Sequence, residues 1–270
     1  MKAYYSKSEK AGDLSKFARN KIKGLGLFDI FKKKESGPLT VNPLKVDIHS
    51  HLVPAIDDGI QSVEEGLEIL RQMEALGYEK VITTPHTMPG SFDNTPEIIL
   101  GGLEKMKAAV AEAGINIQME AATEYYLDES FMDKLENNEP IMTFGGNYVL
   151  FETAFLNAPP FLKEATFLMN IKGYKPVYAH PERYMYLMED KNLLQEMVDR
   201  QVVFQLNAVS LGGAYGKPVQ KFAEKLVDEG VIGMVGTDCH NMGHIEALKR
   251  AVQTKHYKKL MQSELLNNTL

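Results

Sequence analysis

The chain has 270 residues, of which 44% are hydrophobic and 24% charged, a composition typical of a globular protein. No apolar run approaches the roughly 18 residues that a membrane-spanning helix needs, and the N-terminus has no apolar segment of the signal-peptide type. Cys239 is the only cysteine, which excludes an internal disulfide and favours a cytoplasmic protein.

The net charge of -6 is unevenly distributed along the chain. Residues 1–45 hold eleven Lys or Arg and four Asp or Glu, a balance of +7, so the remainder carries -13. The acidic remainder argues against binding to nucleic acid. A Ser36-Gly37-Pro38 linker predicts a basic N-terminal extension over residues 1–40 and one folded domain over residues 41–270. The extension would make peripheral contact with an anionic membrane, touch an acidic partner, or remain a solvated tail.

From Leu44 onward the hydrophobic pattern alternates between predicted strands and predicted helices. Seven strands are expected over residues 44–51, 80–84, 116–123, 147–151, 175–179, 202–206 and 231–236. Helices are expected over residues 62–76, 95–113, 130–137, 159–172, 191–200 and 217–229, with two more from about 244 and near 258–266. Capping residues mark the boundaries, as at Ser62 and Thr95. This alternation predicts parallel strands joined by crossover helices.

Ionisable side chains follow six of the seven predicted strands. The set comprises His49, His51, Asp57, Asp58, His86, Glu124, Glu152, His180, Asp238 and His240. Because the C-terminal strand ends of a β/α barrel meet on one face, we predict a closed barrel with these side chains gathered there. A doubly wound open sheet is the alternative. Imidazole and carboxylate without thiolate suit manganese, iron or zinc, and so many ligands imply two or three ions.

Several other polar residues have simpler expected roles. Asp47 is expected to orient a histidine ring by a hydrogen bond, and Asp57 to stabilise a turn. Cys239 is expected to be a small filler residue, because a thiol phosphatase needs an arginine six positions on, where Ile245 stands. His256, in a lysine-rich helix, is expected to face solvent.

Four motifs, together with Glu124 and Glu152, carry a resemblance to a known family. They are DIHSHLVPAIDDG at 47–59, TPH at 84–86, AHPERY at 179–184 and GTDCHNMG at 236–243. The chain resembles the polymerase and histidinol phosphatase (PHP) superfamily. More narrowly, it resembles the manganese-dependent tyrosine-protein phosphatases that oppose bacterial tyrosine autokinases in capsule and exopolysaccharide synthesis.

The resemblance implies a distorted seven-stranded β/α barrel with a trinuclear metal centre. In the family pattern the first ion would take His49, His51, Glu124 and Asp238, the second His86, Glu152, His180 and the shared Glu124, and the third Asp58 and His240. Arg183 matches a family arginine that grips the phosphate, and Arg183, Asp58 and His240 are the expected catalytic residues. Relatives often carry a second arginine after the last metal histidine. Here Gly243-His244-Ile245 stands in that place, and His244 or Arg250 would substitute, or the substrate grip differs.

The expected activity is therefore a metal-dependent phosphomonoesterase that hydrolyses phosphotyrosine in proteins. Mn²⁺ is the expected metal, with iron and zinc as alternatives, and the expected partner is a membrane tyrosine autokinase. One alternative is a small-molecule phosphatase, for example one that acts on histidinol phosphate. Another is a barrel retained as a partner-binding module, whose signature would be missing ligands; none is missing here.

Overall fold

The computed structural model describes residues 42–270, so the predicted extension over residues 1–40 lies outside the described residues. The strands are β1 (Val46–Asp47), β2 (Lys80–Thr83), β3 (His86–Thr87), β4 (Gln118–Ala121), β5 (Glu124–Tyr126), β6 (Tyr148–Glu152), β7 (Lys175–Ala179), β8 (Val203–Asn207) and β9 (Ile232–Gly236). The α-helices are α1 (Val63–Leu76), α2 (Pro96–Glu112), α3 (Glu129–Glu136), α4 (Leu162–Ile171), α5 (Met185–Glu189), α6 (Lys191–Asp199), α7 (Ala208–Leu211), α8 (Lys217–Glu229), α9 (Met242–Ala251) and α10 (Lys255–Leu260). Short 3-10 turns cover Pro181–Arg183 and Leu266–Thr269.

The helix boundaries follow from local capping chemistry. The Ser62 side chain accepts a hydrogen bond from the Glu65 N–H at 3.2 Å, and Gly77 ends α1 in a left-handed conformation with φ 100°. Thr95 caps α2 by accepting from the Ile98 N–H at 3.4 Å, with Pro96 at the first helical position. The predicted bounds of these two helices are confirmed to within a residue. The short helices α5 and α7 were not predicted.

The named strands pair only in parallel, and they form two sheets. One has the order β1-β2-β4, and the other has the order β3-β5-β6-β7-β8-β9. The α/β class with parallel strands and crossover helices is thus confirmed. The helices pack on the sheets through a large buried cluster that includes Ile69, Leu103 and Phe151. A second buried cluster joins strands directly, through residues such as Ile48, Ile82 and Met234.

A single closed seven-stranded barrel is not confirmed, because the strands form two separate sheets. The chain passes from the first sheet to the second directly after two of the predicted strands. The predicted strand 80–84 stops at Thr83, and Pro85 separates it from β3. Proline has no backbone N–H and therefore cannot donate to the ladder. The predicted strand 116–123 is shortened to β4, and β5 follows from Glu124 in the other sheet.

The two sheets are connected in two ways. On one side, the chain continues from β2 in one sheet through Pro85 to β3 in the other. On the other side, beyond the ends of β1 and β9, the His51 N–H donates to the Cys239 carbonyl at 2.9 Å, and the Asp238 N–H to the His49 carbonyl at 2.7 Å. The C-terminal ends of the strands therefore still surround a common cavity. None of the helices between residues 42 and 270 is long and apolar enough to cross a bilayer.

Candidate active site

A cavity of about 850 Å³ lies at the C-terminal ends of the strands. Eight of the predicted site residues line it, namely Asp58, His86, Glu124, Glu152, His180, Arg183, Asp238 and His240. Glu152 ends β6, and His180 directly follows β7. His49 and His51, also predicted, are fully buried against this group. The parallel arrangement of the strands thus brings residues that are far apart in the chain to one place.

Four groups of side chains offer ligand atoms that lie within 4.8 Å of one another. They are His51-Asp58-His86-His240, His49-His51-Glu124, His49-His180-Asp238 and His86-Glu124-Glu152. All nine residues predicted as metal ligands belong to at least one group. His180 groups with His49 and Asp238, whereas the family pattern places it with His86 and Glu152. Its Nε2 lies 3.8 Å from Glu152 Oε2, so it is also near the second set.

Glu124 lies at the centre of these groups. Its Oε2 is 3.1 Å from His49 Nε2, 3.6 Å from His51 Nε2 and 3.3 Å from His86 Nδ1. Its Oε1 is 3.1 Å from His180 Nε2. One carboxylate thus faces four imidazole rings, which is the arrangement expected of a carboxylate that bridges two ions.

The local backbone is strained at two of these residues. His180 and Asp238 adopt left-handed conformations, with φ 33° and φ 51°. Such conformations cost on the order of 1–3 kcal/mol in a non-glycine residue and concentrate at functional sites. At His180 the strained residue starts the 3-10 turn Pro181–Arg183, which returns the Arg183 side chain to the cavity.

Two amide side chains from β8, Gln205 and Asn207, form successive hydrogen bonds that orient His49 and Asp238. Gln205 Oε1 accepts from His49 Nδ1–H at 2.7 Å, and Gln205 Nε2 donates to Asn207 Oδ1 at 2.9 Å. Asn207 Nδ2 then donates to Asp238 Oδ2 at 2.7 Å. The sequence motifs did not predict a role for these amides, because neither side chain is ionisable. Their signal in the sequence is two polar residues at alternating positions of an apolar strand, hence on one face.

Asp57 takes the expected role and a second one, whereas Asp47 lacks the role that the sequence suggested. Asp57 does stabilise the turn, since its Oδ1 accepts from the Gly59 N–H at 2.9 Å. Its Oδ2, however, also accepts from His51 Nδ1–H at 2.8 Å, so Asp57 orients that ring. The prediction that Asp47 orients a histidine was wrong. Its two oxygens accept from the Thr237 N–H at 2.8 Å and the Thr237 hydroxyl at 2.9 Å.

The electrostatics of the site favour ionised carboxylates. Burial alone would lower the pKa of His49, but Glu124 and Asp238 outweigh it and raise that pKa to about 9. Burial alone would raise the pKa values of Glu124 and Asp238, but the nearby histidines hold both well below their usual range. The hydrogen bond from His240 is the main cause that lowers the pKa of Asp58 to about 2. The carboxylates are therefore ionised, and the imidazoles beside them supply the positive charge that a bound cation would supply in their place.

The donor set fits divalent metal ions. Among the described residues, His180 Nδ1 is a buried atom at the site without a hydrogen-bond partner. Two more buried atoms have a close ionisable neighbour but no hydrogen bond of good geometry: His86 Nδ1, 3.1 Å from Glu152 Oε1, and Glu124 Oε1, 3.1 Å from His180 Nε2. Buried polar atoms without a hydrogen-bond partner are rare in folded proteins, and atoms that bind an ion are among the exceptions. Imidazole nitrogens and carboxylate oxygens without a thiolate suit manganese, iron or zinc.

Arg183 brings a permanent positive charge to the wall of the cavity, where His244 also lies. Burial lowers the pKa of His244, which favours its neutral form. Arg183 Nη1 donates to Asp238 Oδ2 at 3.2 Å. His244 Nδ1–H donates to the Asp238 carbonyl at 2.8 Å, and its ring forms part of the cavity wall. Of the two candidates for the missing second arginine, His244 therefore lies at the cavity. Arg250 is exposed on α9 and does not line it.

Two remaining predictions concern Cys239 and His256. Cys239 is fully buried, and burial is the main cause that raises its pKa well above the usual range, which agrees with a filler role. The prediction that His256 faces solvent was wrong, since only 7% of it is exposed. Its Nδ1 lies 3.3 Å from Glu224 Oε1 on α8, so carboxylates of the neighbouring helix compensate its burial.

The chain is also similar to known proteins. The family model described as "Capsular polysaccharide synthesis, CpsB/CapC" matches residues 45–269. Over 197 residues the chain is 28% identical to the tyrosine-protein phosphatase YwqE of Bacillus subtilis, which covers 73% of this chain and 78% of that protein. Over 204 residues it is 28% identical to the tyrosine-protein phosphatase CpsB of Streptococcus pneumoniae, which covers 73% of this chain and 83% of that protein.

A solved structure is also similar. It is described as belonging to "YwqE from Bacillus subtilis and CpsB from Streptococcus pneumoniae, unique metal-dependent tyrosine phosphatases". It superposes with a TM-score of 0.71 at 26% sequence identity, over 78% of this chain and 87% of the other.

Proposed function

The chain belongs to the capsular polysaccharide synthesis CpsB/CapC family, and on that premise we propose that it is a metal-dependent phosphatase that hydrolyses phosphotyrosine in proteins. The observation that carries the proposal is the group of nine histidine and acidic residues around one cavity, with Arg183 on its wall. The relatives named as tyrosine-protein phosphatases support the substrate class.

We propose that the nine residues hold up to three divalent ions, with manganese the expected metal and iron or zinc the alternatives. The proposed ligands are His49, His51, Asp58, His86, Glu124, Glu152, His180, Asp238 and His240. Divalent ions held there would acidify water and neutralise charge on the phosphoryl oxygens. The orienting hydrogen bonds of Gln205 and Asp57 fix the rings of His49 and His51 for this purpose.

Arg183, Asp58 and His240, which line the cavity, are the residues that would contact the substrate. The planar guanidinium of Arg183 presents N–H groups that fit phosphate oxygens and the charge that develops during transfer. Asp58 is the most exposed of the proposed ligands, and its low pKa keeps it ionised at neutral pH. His240 is oriented by donation from Nδ1–H to the Asp238 carbonyl at 2.9 Å, which leaves Nε2 facing Asp58 at 3.3 Å.

The family name points to capsule synthesis as the setting. We propose that the substrate is a phosphotyrosine-bearing protein, specifically a membrane tyrosine autokinase of that process, and that the enzyme is cytoplasmic. The basic residues 1–40 would bring it to the anionic membrane surface on which such a kinase resides.

A substrate and metal panel tests the proposal. Protein stripped of metal should lack activity, and reloading with Mn²⁺ should restore it together with about two to three bound equivalents. Phosphotyrosine peptides should be hydrolysed at least about 100-fold faster than phosphoserine peptides, sugar phosphates or histidinol phosphate. Full activity in chelator, with less than about one metal equivalent bound, would refute the metal mechanism.

A pair of matched variants separates the site from the rest of the domain. Glu124→Gln should lose metal and lower kcat at least about 100-fold, because it removes the central carboxylate charge. Glu120→Gln is the control, since Glu120 lies on β4 outside the cavity and pairs with Lys80 at 2.9 Å. Equal activity of the two variants would contradict the assignment of the site.

A further inference from the structure

Two aromatic rings enclose the guanidinium group of Arg183. The Arg183 Cζ lies 4.4 Å from the centroid of the Phe155 ring and 4.5 Å from the centroid of the Tyr215 ring. Both distances are within the range of a cation–π interaction. We call Phe155 and Tyr215 the aromatic clamp. Both line the cavity, and neither is ionised or placed among the proposed metal ligands.

The clamp is assembled from two separate loops that other contacts hold in place. Phe155 lies in the loop between β6 and α4, and its carbonyl accepts from the Met185 N–H at 2.9 Å. Its ring also stacks on Tyr184, with 5.7 Å between centroids. Tyr215 lies in the loop between α7 and α8, and its hydroxyl is 3.5 Å from Asp238 Oδ2. Both rings are thus held by contacts in addition to those with the Arg183 side chain.

The clamp restricts how Arg183 can meet an anion. All N–H donors of a guanidinium lie in its plane. Because both ring centroids lie within about 4.5 Å of Arg183 Cζ, the rings fill space around the guanidinium and limit the directions from which an anion can approach. One N–H donor, on Nη1, already points to Asp238 Oδ2 at 3.2 Å. The remaining N–H donors lie beside the carboxylates that line the cavity.

We propose that Phe155 and Tyr215 are positioning residues that hold Arg183 in the orientation that binds the phosphate group of the substrate. The inference rests on the proposed function, in which Arg183 contacts that phosphate. A flexible arginine side chain would otherwise lose rotational freedom on binding, and a side chain already ordered in the free enzyme avoids that loss.

The exposure of Phe155 agrees with this role. Its side chain keeps 39% of its surface accessible, although most large apolar residues of the described chain are buried. The ring lies against Arg183 and next to the tilted ring of His180, with 5.9 Å between the two ring centroids. The ring therefore contributes little to the core and much to the wall of the cavity.

Ring removal tests the proposal. We expect Phe155→Ala and Tyr215→Ala to raise the inhibition constant of inorganic phosphate by about 3- to 30-fold each, the range expected for one cation–π contact. Metal content should stay at the wild-type level. Tyr215→Phe keeps the ring and loses only the hydroxyl near Asp238, so its inhibition constant should remain close to that of the wild type. Phe155→Leu serves as a milder second variant.

Phe167→Ala is the matched control. Phe167 is another half-exposed phenylalanine, on α4, and it does not line the cavity. Its replacement should leave the inhibition constant of phosphate unchanged. An equal rise in this control would show that loss of a surface phenylalanine affects the domain generally, and the proposal would fail.

A double-mutant cycle distinguishes positioning from direct contact. In an Arg183→Ala background, Phe155→Ala should have no further effect on phosphate inhibition. An undiminished effect of Phe155→Ala in that background would mean that the ring acts on the phosphate itself, and the proposal would fail. Loss of metal in the clamp variants would also overturn it. If Arg183→Ala weakens phosphate binding and the clamp variants do not, the role of the clamp is wrong and the proposed function stands. If Arg183→Ala has no effect, the proposed role of Arg183 fails, and that of the clamp with it.

Discussion

Glu182 places a carboxyl group in the interior, directly before Arg183. Its Oε1 accepts from the Asn207 N–H at 3.0 Å and from the Ser210 hydroxyl at 2.7 Å. Its Oε2 has no hydrogen-bond partner within residues 42–270. Burial is the main cause that raises its pKa from 4.5 to about 7. This residue joins the 3-10 turn that carries Arg183 to α7 and to the end of β8.

Glu182→Gln should change how stability depends on pH. With a folded-state pKa of about 7 against 4.5, the folded protein binds this proton more tightly than the unfolded chain. The stabilisation of the folded protein by the protonated Glu182 carboxyl is therefore fully present below pH 4.5 and is lost as the pH rises through 7. The neutral amide should remove that loss, so the free energy of unfolding of the variant should rise relative to the wild type by on the order of 3 kcal/mol between about pH 4.5 and about pH 8. Urea unfolding at the two pH values measures the free energy of unfolding of the variant and the wild type. An equal difference between the two proteins at both pH values would contradict the prediction.

Cys239→Ser should retain most of its activity. The thiol is fully buried and donates to the Asn241 carbonyl at 3.6 Å, and its raised pKa disfavours the thiolate that a nucleophile requires. We expect kcat within about threefold of the wild type and slow alkylation of the native protein. Arg183→Ala, measured alongside with saturating Mn²⁺, should chiefly weaken substrate binding. An inactive serine variant with intact metal content, or a trapped phosphocysteine, would overturn this mechanism.

At the scale of elements, β9 passes so close to the end of β1 that only glycine fits between them. A Cβ on Gly236, the last residue of β9, would lie 2.5 Å from His49 Cβ and 2.8 Å from Gln205 Nε2. Gly59 is in a similar position, because a Cβ there would lie 2.3 Å from the His51 carbonyl oxygen. Both glycines thus set the placement of a proposed ligand through backbone packing.

Gly236→Ala should disturb the metal site without altering any ligand. The added methyl has to displace His49 or Gln205, which should cost on the order of 1–3 kcal/mol of stability and lower metal affinity at least about tenfold. Gly101→Ala is the control, because a Cβ at this position in α2 meets nothing within 4 Å. The control should be stabilised by about 0.5–1 kcal/mol. Thermal unfolding and metal titration measure both, and wild-type metal affinity in Gly236→Ala would refute the account.

At the scale of the whole molecule, charge divides the chain into two parts. Residues 1–45 carry +7 and the remainder -13, although the remainder has to admit a phosphate dianion. Bound divalent ions and Arg183 would supply the positive charge at the cavity itself. The basic residues 1–40 lie outside the described part of the chain, so their expected role rests on charge alone.

Deleting residues 1–40 should separate catalysis from localisation. We expect kcat/KM for p-nitrophenyl phosphate to stay within about twofold, and binding to phosphatidylserine vesicles to be lost. Replacing Lys32, Lys33 and Lys34 by alanine keeps the chain length and should weaken vesicle binding at least about tenfold, more so at low salt. A collapse of activity on the small substrate would show that the extension supports the domain. Absence of vesicle binding by the full chain would exclude the membrane hypothesis.

Much of the fold and of the site could be predicted because both depend on local patterns. Apolar periodicity and capping residues located the helices α1 and α2, since each boundary is decided within a few residues of the chain. Parallel strands place their C-terminal ends on one side, so residues such as His86, Glu152 and His180 could be grouped from their positions alone.

The sequence by itself thus determined the α/β class, the acidic domain and the set of residues that surrounds the cavity. Only the tertiary structure decided the break at Pro85, the choice of Asp57 rather than Asp47 to orient a histidine ring, and the burial of His256. It alone also brought Phe155 and Tyr215 next to the guanidinium of Arg183. The physical reason is that these features depend on contacts between segments distant in the chain, where distances of a few tenths of an ångström decide which group a side chain meets.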